Sequence, residues 1–239
     1  MGKDITVIPD VHGRTFWKAA VEAAAPGTPV VFLGDYLDPY PWEGITPGDA
    51  TRTLCDIISL KKERPEDVIL LLGNHDMGYL DPNINFCRRD HVGSAGNRRL
   101  LEENLDLFDI VHEDGRILFS HAGLSVPWLE RHMNVLGRKP FRPSDLNAML
   151  HDQYGRNVLY GLLSDCSPFR GGEDQSGSPI WADLYEFLSG DELLPGWFHV
   201  FGHTQQDDGP VKVADRGVCV DCRRAFRLTE DPLTVTPLP

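Results

Sequence analysis

Five short polar clusters in this chain hold residue types that ligate metals and move protons. They are Pro9-Asp10-Val11-His12-Gly13, Gly34-Asp35-Tyr36-Leu37-Asp38, Gly73-Asn74-His75-Asp76, Ser120-His121-Ala122-Gly123 and Gly202-His203-Thr204. Asp10 and His12, two apart across a turn, can give one ion a carboxylate oxygen and an imidazole nitrogen. Asp35 has two oxygens and can bridge that ion to a second. Asn74, His121 and His203 would complete the second set with a carbonyl oxygen and two neutral imidazoles. A mixed oxygen and nitrogen set suits manganese first, with iron, zinc or cobalt as alternatives, rather than calcium. One shared carboxylate would hold two divalent ions at about 3.5–4 Å, a separation suited to in-line attack at phosphorus. The expected nucleophile is a hydroxide bridging the two ions, since bound divalent ions bring the pKa of water down toward roughly 7. His75 directly follows a ligand, so when protonated it can donate to a leaving oxygen while Asp38 holds its other ring nitrogen.

Each cluster closes an apolar, β-branched run, and strands of an α/β sheet deliver the loops at their carboxyl ends to one common edge. Residues 5–9 read as a strand. Residues 14–25 carry Phe16, Trp17, Ala20, Val21 and Ala24 on one helical face before Pro26-Gly27, and residues 30–33 form the next strand. Thr46 offers an N-cap and Pro47 a first helical position for a helix reaching about residue 64 with Leu54, Ile57 and Ile58 inward. A buried strand at 68–72, a helix at 97–107 and a strand at 116–119 come next. From 125 to 196 the chain is rich in Pro, Gly, Arg and Asp, with short helical pieces at 145–151 and 181–188. The strand pattern resumes at 198–201, and segments at 211–214, 218–221, 225–228 and 233–236 suggest an antiparallel meander.

With 239 residues and 41% hydrophobic content, one large mixed α/β domain covering residues 1–239 suffices, with 125–196 as an insertion placed where a substrate-shaping cap would lie. No apolar run is long enough to cross a bilayer and no basic stretch leads into an apolar signal core, so the expected address is the cytoplasm, without membrane partners. Cys55, Cys87, Cys166, Cys219 and Cys222 are odd in number and scattered, as reduced thiols would be. The CxxC pair Cys219 and Cys222 reads as ordinary strand cysteines. A formal charge of −13 has the wrong sign for stable nucleic-acid binding.

With these clusters the sequence resembles the calcineurin-like metallophosphoesterases, and within them the branch similar to serine/threonine protein phosphatases. The resemblance covers residues 5 to about 124 and returns at 198 to about 228. It implies a central β-sandwich of two mixed sheets flanked by helices, with an irregular, partly helical insertion. By the family pattern Asp10, His12 and Asp35 match ligands of a first metal, Asp35, Asn74, His121 and His203 ligands of a second, and His75 with Asp38 the acid dyad. Gln205 stands where many phosphodiesterase members carry a further histidine, which favours the phosphatase branch. Where that branch usually has a phosphate-gripping arginine, this chain has Pro39, followed by Tyr40-Pro41-Trp42.

The missing arginine leaves phosphate without its bidentate partner. Arg88 and Arg89 are the candidate replacements beside Asn74, with Arg170 a poorer third. The leading expectation is a dinuclear metal phosphatase acting on phosphate monoesters, whether of a small molecule, a nucleotide or a phosphoprotein. One alternative is a hydrolase of nucleotide polyphosphates or diesters, with Tyr36, Tyr40 and Trp42 lining the mouth. Another is a catalytically silent metal-binding module, against which the intact acid dyad argues. His91, His112, His132, His151 and His199, which lack cluster partners, read as core or surface residues.

Overall fold

Strand β1 (Asp4–Ile8) opens a parallel run, followed by helix α1 (Phe16–Ala23) and strand β2 (Val30–Phe32). In the computed structural model, which describes residues 4–84, 86–137 and 140–238, the chain divides into two compact units, 1–108 with 223–239, and 109–222. Helix α1 buries Trp17 and Ala20, and its chain turns extended at Ala24, ahead of Pro26. Helix α2 (Pro47–Glu63) begins as its sequence requires. The Thr46 hydroxyl accepts from the Asp49 N–H at 3.1 Å and the Asp49 carboxylate accepts from the Thr46 N–H at 2.9 Å, with Pro47 in the first turn. Its buried stripe is Ala50, Thr53, Leu54, Ile57 and Ile58. Strand β3 (Val68–Leu71) then pairs parallel to β2 as β2 does to β1. Helix α3 (Asn74–Leu80) starts immediately after it, and α4 (Ser94–Glu103) precedes the two-residue β4 (Phe108–Asp109). The helix expected at 97–107 thus lies earlier and ends in a 3-10 turn at Leu105–Leu107.

The second unit has its own five-stranded sheet. Strands β5 (Val111–Asp114) and β6 (Ile117–Ser120) form an antiparallel pair. Among its described residues the region of loose composition holds three helices, α5 (Val126–Leu136), α6 (Asp145–His151) and α7 (Gln153–Leu163). Of these only α6 was anticipated. Ser125 caps α5 by accepting from the Trp128 N–H, and Asp152 caps α7 by accepting from the N–H groups of Tyr154 and Gly155. The helix expected at 181–188 reduces to a 3-10 turn at Leu184–Glu186. Strand β7 (Phe198–Phe201) runs parallel to β6, and β8 (Val211–Val213) and β9 (Gly217–Cys219) form a hairpin whose β9 is parallel to β7.

Strands β10 (Phe226–Glu230) and β11 (Leu233–Pro237) return to the first unit and make the sheet order β11-β10-β1-β2-β3-β4. The expected four-stranded meander is therefore corrected. Its two hairpins belong to different sheets, because residues 220–225 carry the chain out of one sheet before β10 pairs antiparallel with β1. Both sheets mix parallel and antiparallel pairs. None of the five cysteines is in a disulfide. Among the described residues no helix is long and apolar enough to cross a membrane.

One core histidine makes acid stability measurable. His199 on β7 is buried, with Nε2 donating to the Leu194 carbonyl at 2.9 Å, and burial pushes its pKa down to about 4 despite that bond. In the unfolded chain a histidine takes its proton near pH 6.5. Between those values the unfolded state holds the extra proton, so stability falls as pH drops through this window, by about 3 kcal/mol once below pH 4. Urea midpoints at pH 7 and 4.5 should drop less in His199→Gln than in the parent, and an equal drop in both would remove His199 as the cause.

Candidate active site

The first three clusters sit at the carboxyl ends of β1, β2 and β3. Asp10 and His12 follow β1, Asp35 and Asp38 follow β2, and Asn74 and His75 open α3. All six residues are at most 4% exposed. His12, Asp35 and Asp38 have φ of 44°, 53° and 58°, a left-handed backbone costing a non-glycine residue on the order of 1–3 kcal/mol. The loops around them supply the compensation. The N–H groups of Val11 and His12 donate to the Asp35 carbonyl at 3.1 and 2.7 Å, and that of Gly13 to Tyr36 at 2.9 Å. The Asp76 carboxylate accepts from the N–H groups of Asp35, Tyr36 and Gly73 at 2.7, 3.0 and 2.9 Å, pinning the second loop to the third. The two loops meet at Gly34 (φ 108°), where a Cβ would stand 2.4 Å from the Gly73 nitrogen.

His12 donates from Nδ1 to the Leu37 carbonyl at 2.7 Å, which leaves Nε2 as an acceptor 3.5 Å from Asp35 Oδ2. Asp35 Oδ1 accepts from the His75 N–H at 2.9 Å. His12, Asp35 and His75 each offer a ligand atom within 4.8 Å of the others. Burial, then the neighbouring Asp10, holds the Asp35 carboxyl well above its usual range, and burial, then His75, holds His12 well below. Carboxylates withdrawn from water beside neutral imidazole nitrogens fit a divalent cation, whose charge offsets what burial disfavours.

His75 Nδ1 lies 2.9 Å from Asp38 Oδ2, while Asp38 Oδ1 accepts from the Tyr79 hydroxyl at 2.5 Å and the Asp90 N–H at 3.1 Å. Burial raises the Asp38 pKa to about 6 against the pull of those two bonds. The other ring nitrogen, His75 Nε2, is 3.3 Å from Arg88 Nη2, which is also 3.4 Å from His12 Nε2. Arg88 Nε donates to the Asp38 carbonyl at 3.3 Å, and the guanidinium lies 3.8 Å over the Tyr40 ring. Arg89 turns instead toward the rings of Tyr79 and Phe86, at 5.2 and 5.4 Å. Of the two candidate arginines, the structure brings Arg88 to the cluster.

In the second unit His121 follows β6 and His203 follows the parallel neighbour β7, so the sheet places both at one edge. His121 Nε2 and His203 Nδ1 are 3.1 Å apart. Trp181 stands edge-on to His203 at 5.7 Å. Arg170 donates to the His203 carbonyl at 3.0 Å and the Thr204 hydroxyl at 2.7 Å, and pairs with Asp183 at 2.6 Å. It thereby braces the His203 loop. Sequence reasoning missed this brace and Tyr79, and it named Asp76 in its cluster without giving it this role. For Asp76 a signal existed, an acid at the third helical position after a glycine, where a carboxylate reaches back to the N–H groups that begin a helix.

The model of the calcineurin-like phosphoesterase family matches residues 3–207. Over 128 residues the chain is 30% identical to the serine/threonine-protein phosphatase PP2A-like PPG1 of Candida albicans and 29% identical to that of Saccharomyces cerevisiae. Those alignments cover 51% of this chain but only 29% and 33% of the relatives. Among solved structures, a cold-active protein-tyrosine phosphatase of a psychrophilic Shewanella has a TM-score of 0.63 at 16% identity, covering 100% of this chain and 81% of that one. A serine/threonine phosphatase from Saccharomyces cerevisiae has a TM-score of 0.53 at 15% identity, covering 95% and 73%. At such identities these two likenesses establish a shared fold. With the family match spanning most of its length, the chain belongs to the calcineurin-like phosphoesterases.

Proposed function

We propose that the protein is a phosphatase that hydrolyses phosphate monoesters with two divalent ions, manganese first. Asp10, His12 and Asp35 would hold one ion and Asp35, Asn74, His121 and His203 the other, with residues 1–239 acting as one catalytic domain and 125–196 as its cap. Bound there, the ions would supply an activated water and positive charge against the phosphate. His75 gives a proton from Nε2 to the leaving oxygen, and Asp38 at Nδ1 fixes the ring and favours its charged form. Asn74 and Arg88 orient the phosphate. The guanidinium fork does what the usual arginine would do from the position of Pro39, but from a different loop.

The observation that carries this reading is that His75 reaches Asp38 at 2.9 Å while Arg88 reaches both His75 and His12, at 3.3 and 3.4 Å. Elemental analysis and turnover of p-nitrophenyl phosphate against bis-p-nitrophenyl phosphate with added Mn²⁺ test it. Retained ions without turnover would overturn the enzymatic reading, and a preference for the diester would overturn the monoester one. Loss of a charged hydrogen-bond donor costs about 1.5–3 kcal/mol, so Arg88→Ala should raise KM about tenfold or more. Arg89→Ala should stay within about twofold, as surface changes do. Equal effects of the two would refute the assignment of Arg88.

A further inference from the structure

The strongest unassigned feature lies just beyond Arg88, on the loop that replaces the usual phosphate-binding arginine. The Tyr40 ring meets His12 edge-on at 5.2 Å, carries the Arg88 guanidinium at 3.8 Å, and leans against the Trp42 ring at 4.9 Å. Trp42 is 72% exposed. An indole in water is ordinary on a loosely held loop. This loop is held firmly.

Pro41 starts a 3-10 turn, Pro41–Glu43, and Gly44 closes it in the left-handed region at φ 71°. The Glu43 carboxylate is gripped by Arg14 through Nε at 3.0 Å and Nη2 at 2.9 Å, with Arg14 9% and Glu43 17% exposed. Arg14 Nη1 also donates to the carbonyl of Asp10 at 3.2 Å. The same arginine therefore anchors the platform and the first candidate ligand. Trp42 is kept one aromatic ring away from His12, with a cation at its neighbour's face.

We propose that Trp42, backed by Tyr40, is a stacking platform that selects phosphate esters whose alcohol carries an aromatic ring close to the phosphate. This rests on the phosphatase reading and names its substrate class. A planar ring on the indole would place its phosphate on the side of the loop where Arg88, His12 and His75 converge. Aliphatic alcohols would gain apolar contact there but no offset stacking. A phenolic side chain and a nucleobase both satisfy this chemistry.

The test compares esters matched in leaving-group acidity. Benzyl phosphate against cyclohexylmethyl phosphate probes a simple ring, and adenosine 5′-monophosphate against ribose 5-phosphate probes a base. The parent should favour the aromatic member of at least one pair by about five- to tenfold in kcat/KM. Trp42→Ala should bring that ratio near one and Trp42→Phe should keep most of it. Selection confined to the benzyl pair identifies an aryl alcohol, and selection confined to the nucleotide pair identifies a base. Dissociation constants for benzylphosphonate and cyclohexylmethylphosphonate, measured on the metal-loaded protein, give a readout independent of turnover. A preference in binding without turnover refutes the phosphatase reading and leaves the platform standing. Equal turnover of both members of both pairs with equal binding of the two phosphonates, or a preference unchanged in Trp42→Ala, would overturn the platform.

Discussion

Replacing His75 by asparagine should lower kcat for alkyl phosphates by about a hundredfold or more, the range expected when a positioned general acid is lost. Turnover of p-nitrophenyl phosphate should fall far less, because its leaving oxygen departs without needing a proton. The asparagine amide can still donate to Asp38, so the packing around Asp38 and Tyr79 is retained. Metal content decides between two roles. His75 lies in a group of potential ligand atoms with His12 and Asp35, yet its Nδ1 is committed to Asp38. If His75 is an acid, His75→Asn keeps its ions and the loss scales with leaving-group basicity. A variant that loses ions and fails equally on both esters would identify a ligand instead.

Asp35→Asn should abolish ion-dependent activity and, without ions, make the protein more stable. Asparagine tolerates the left-handed backbone of this position, and its carbonyl oxygen can still accept from the His75 N–H. What disappears is a buried carboxyl that burial and Asp10 hold well above its usual range. Removing that disfavoured carboxyl should raise the metal-free Tm. With ions at a hundred times their Kd the parent should gain about 2.7 kcal/mol and the variant almost none. Thermal scans in chelator and in Mn²⁺ measure both effects. If the variant still gains stability from ions, or if it melts below the parent in chelator, Asp35 does not have the role assigned to it.

The strands and the cluster residues at their ends were readable because a buried parallel strand is a nearly continuous apolar run with an abrupt polar end. Helix α2 was readable from Thr46 and Pro47. Helix α3 was not, since Asn74-His75-Asp76 reads as the end of a strand when it is also the start of a helix. Helices α5 and α7 were hidden by the polar composition of 125–196, although Ser125 and Asp152 are ordinary caps. The partition of the tail depends on which distant strand each hairpin meets, and residue alternation alone holds no such information. Arg88 and Arg89 were equivalent as letters. The left-handed turn at Arg88 (φ 64°) and the Tyr40 ring, which letters do not show, separate them. The role of Asp76 was not legible because its partners are backbone N–H groups of two loops, which any sequence would supply.

The pairing of β1 with β10 also sets an order of events during synthesis. Asp4 lies opposite Thr229, and their side chains are joined across 225 positions. A ribosome emits β1 long before its antiparallel neighbour exists, so the nascent strand carries an unmatched row of N–H and C=O groups for most of translation. The stretch 109–222 pairs its strands β5 to β9 within itself and can finish while that edge is still waiting. Chaperone demand should therefore concentrate on the early half, and a ribosome-bound chain cut after residue 222 and extended by a linker that fills the exit tunnel should be protease-resistant in 109–222 and sensitive before it.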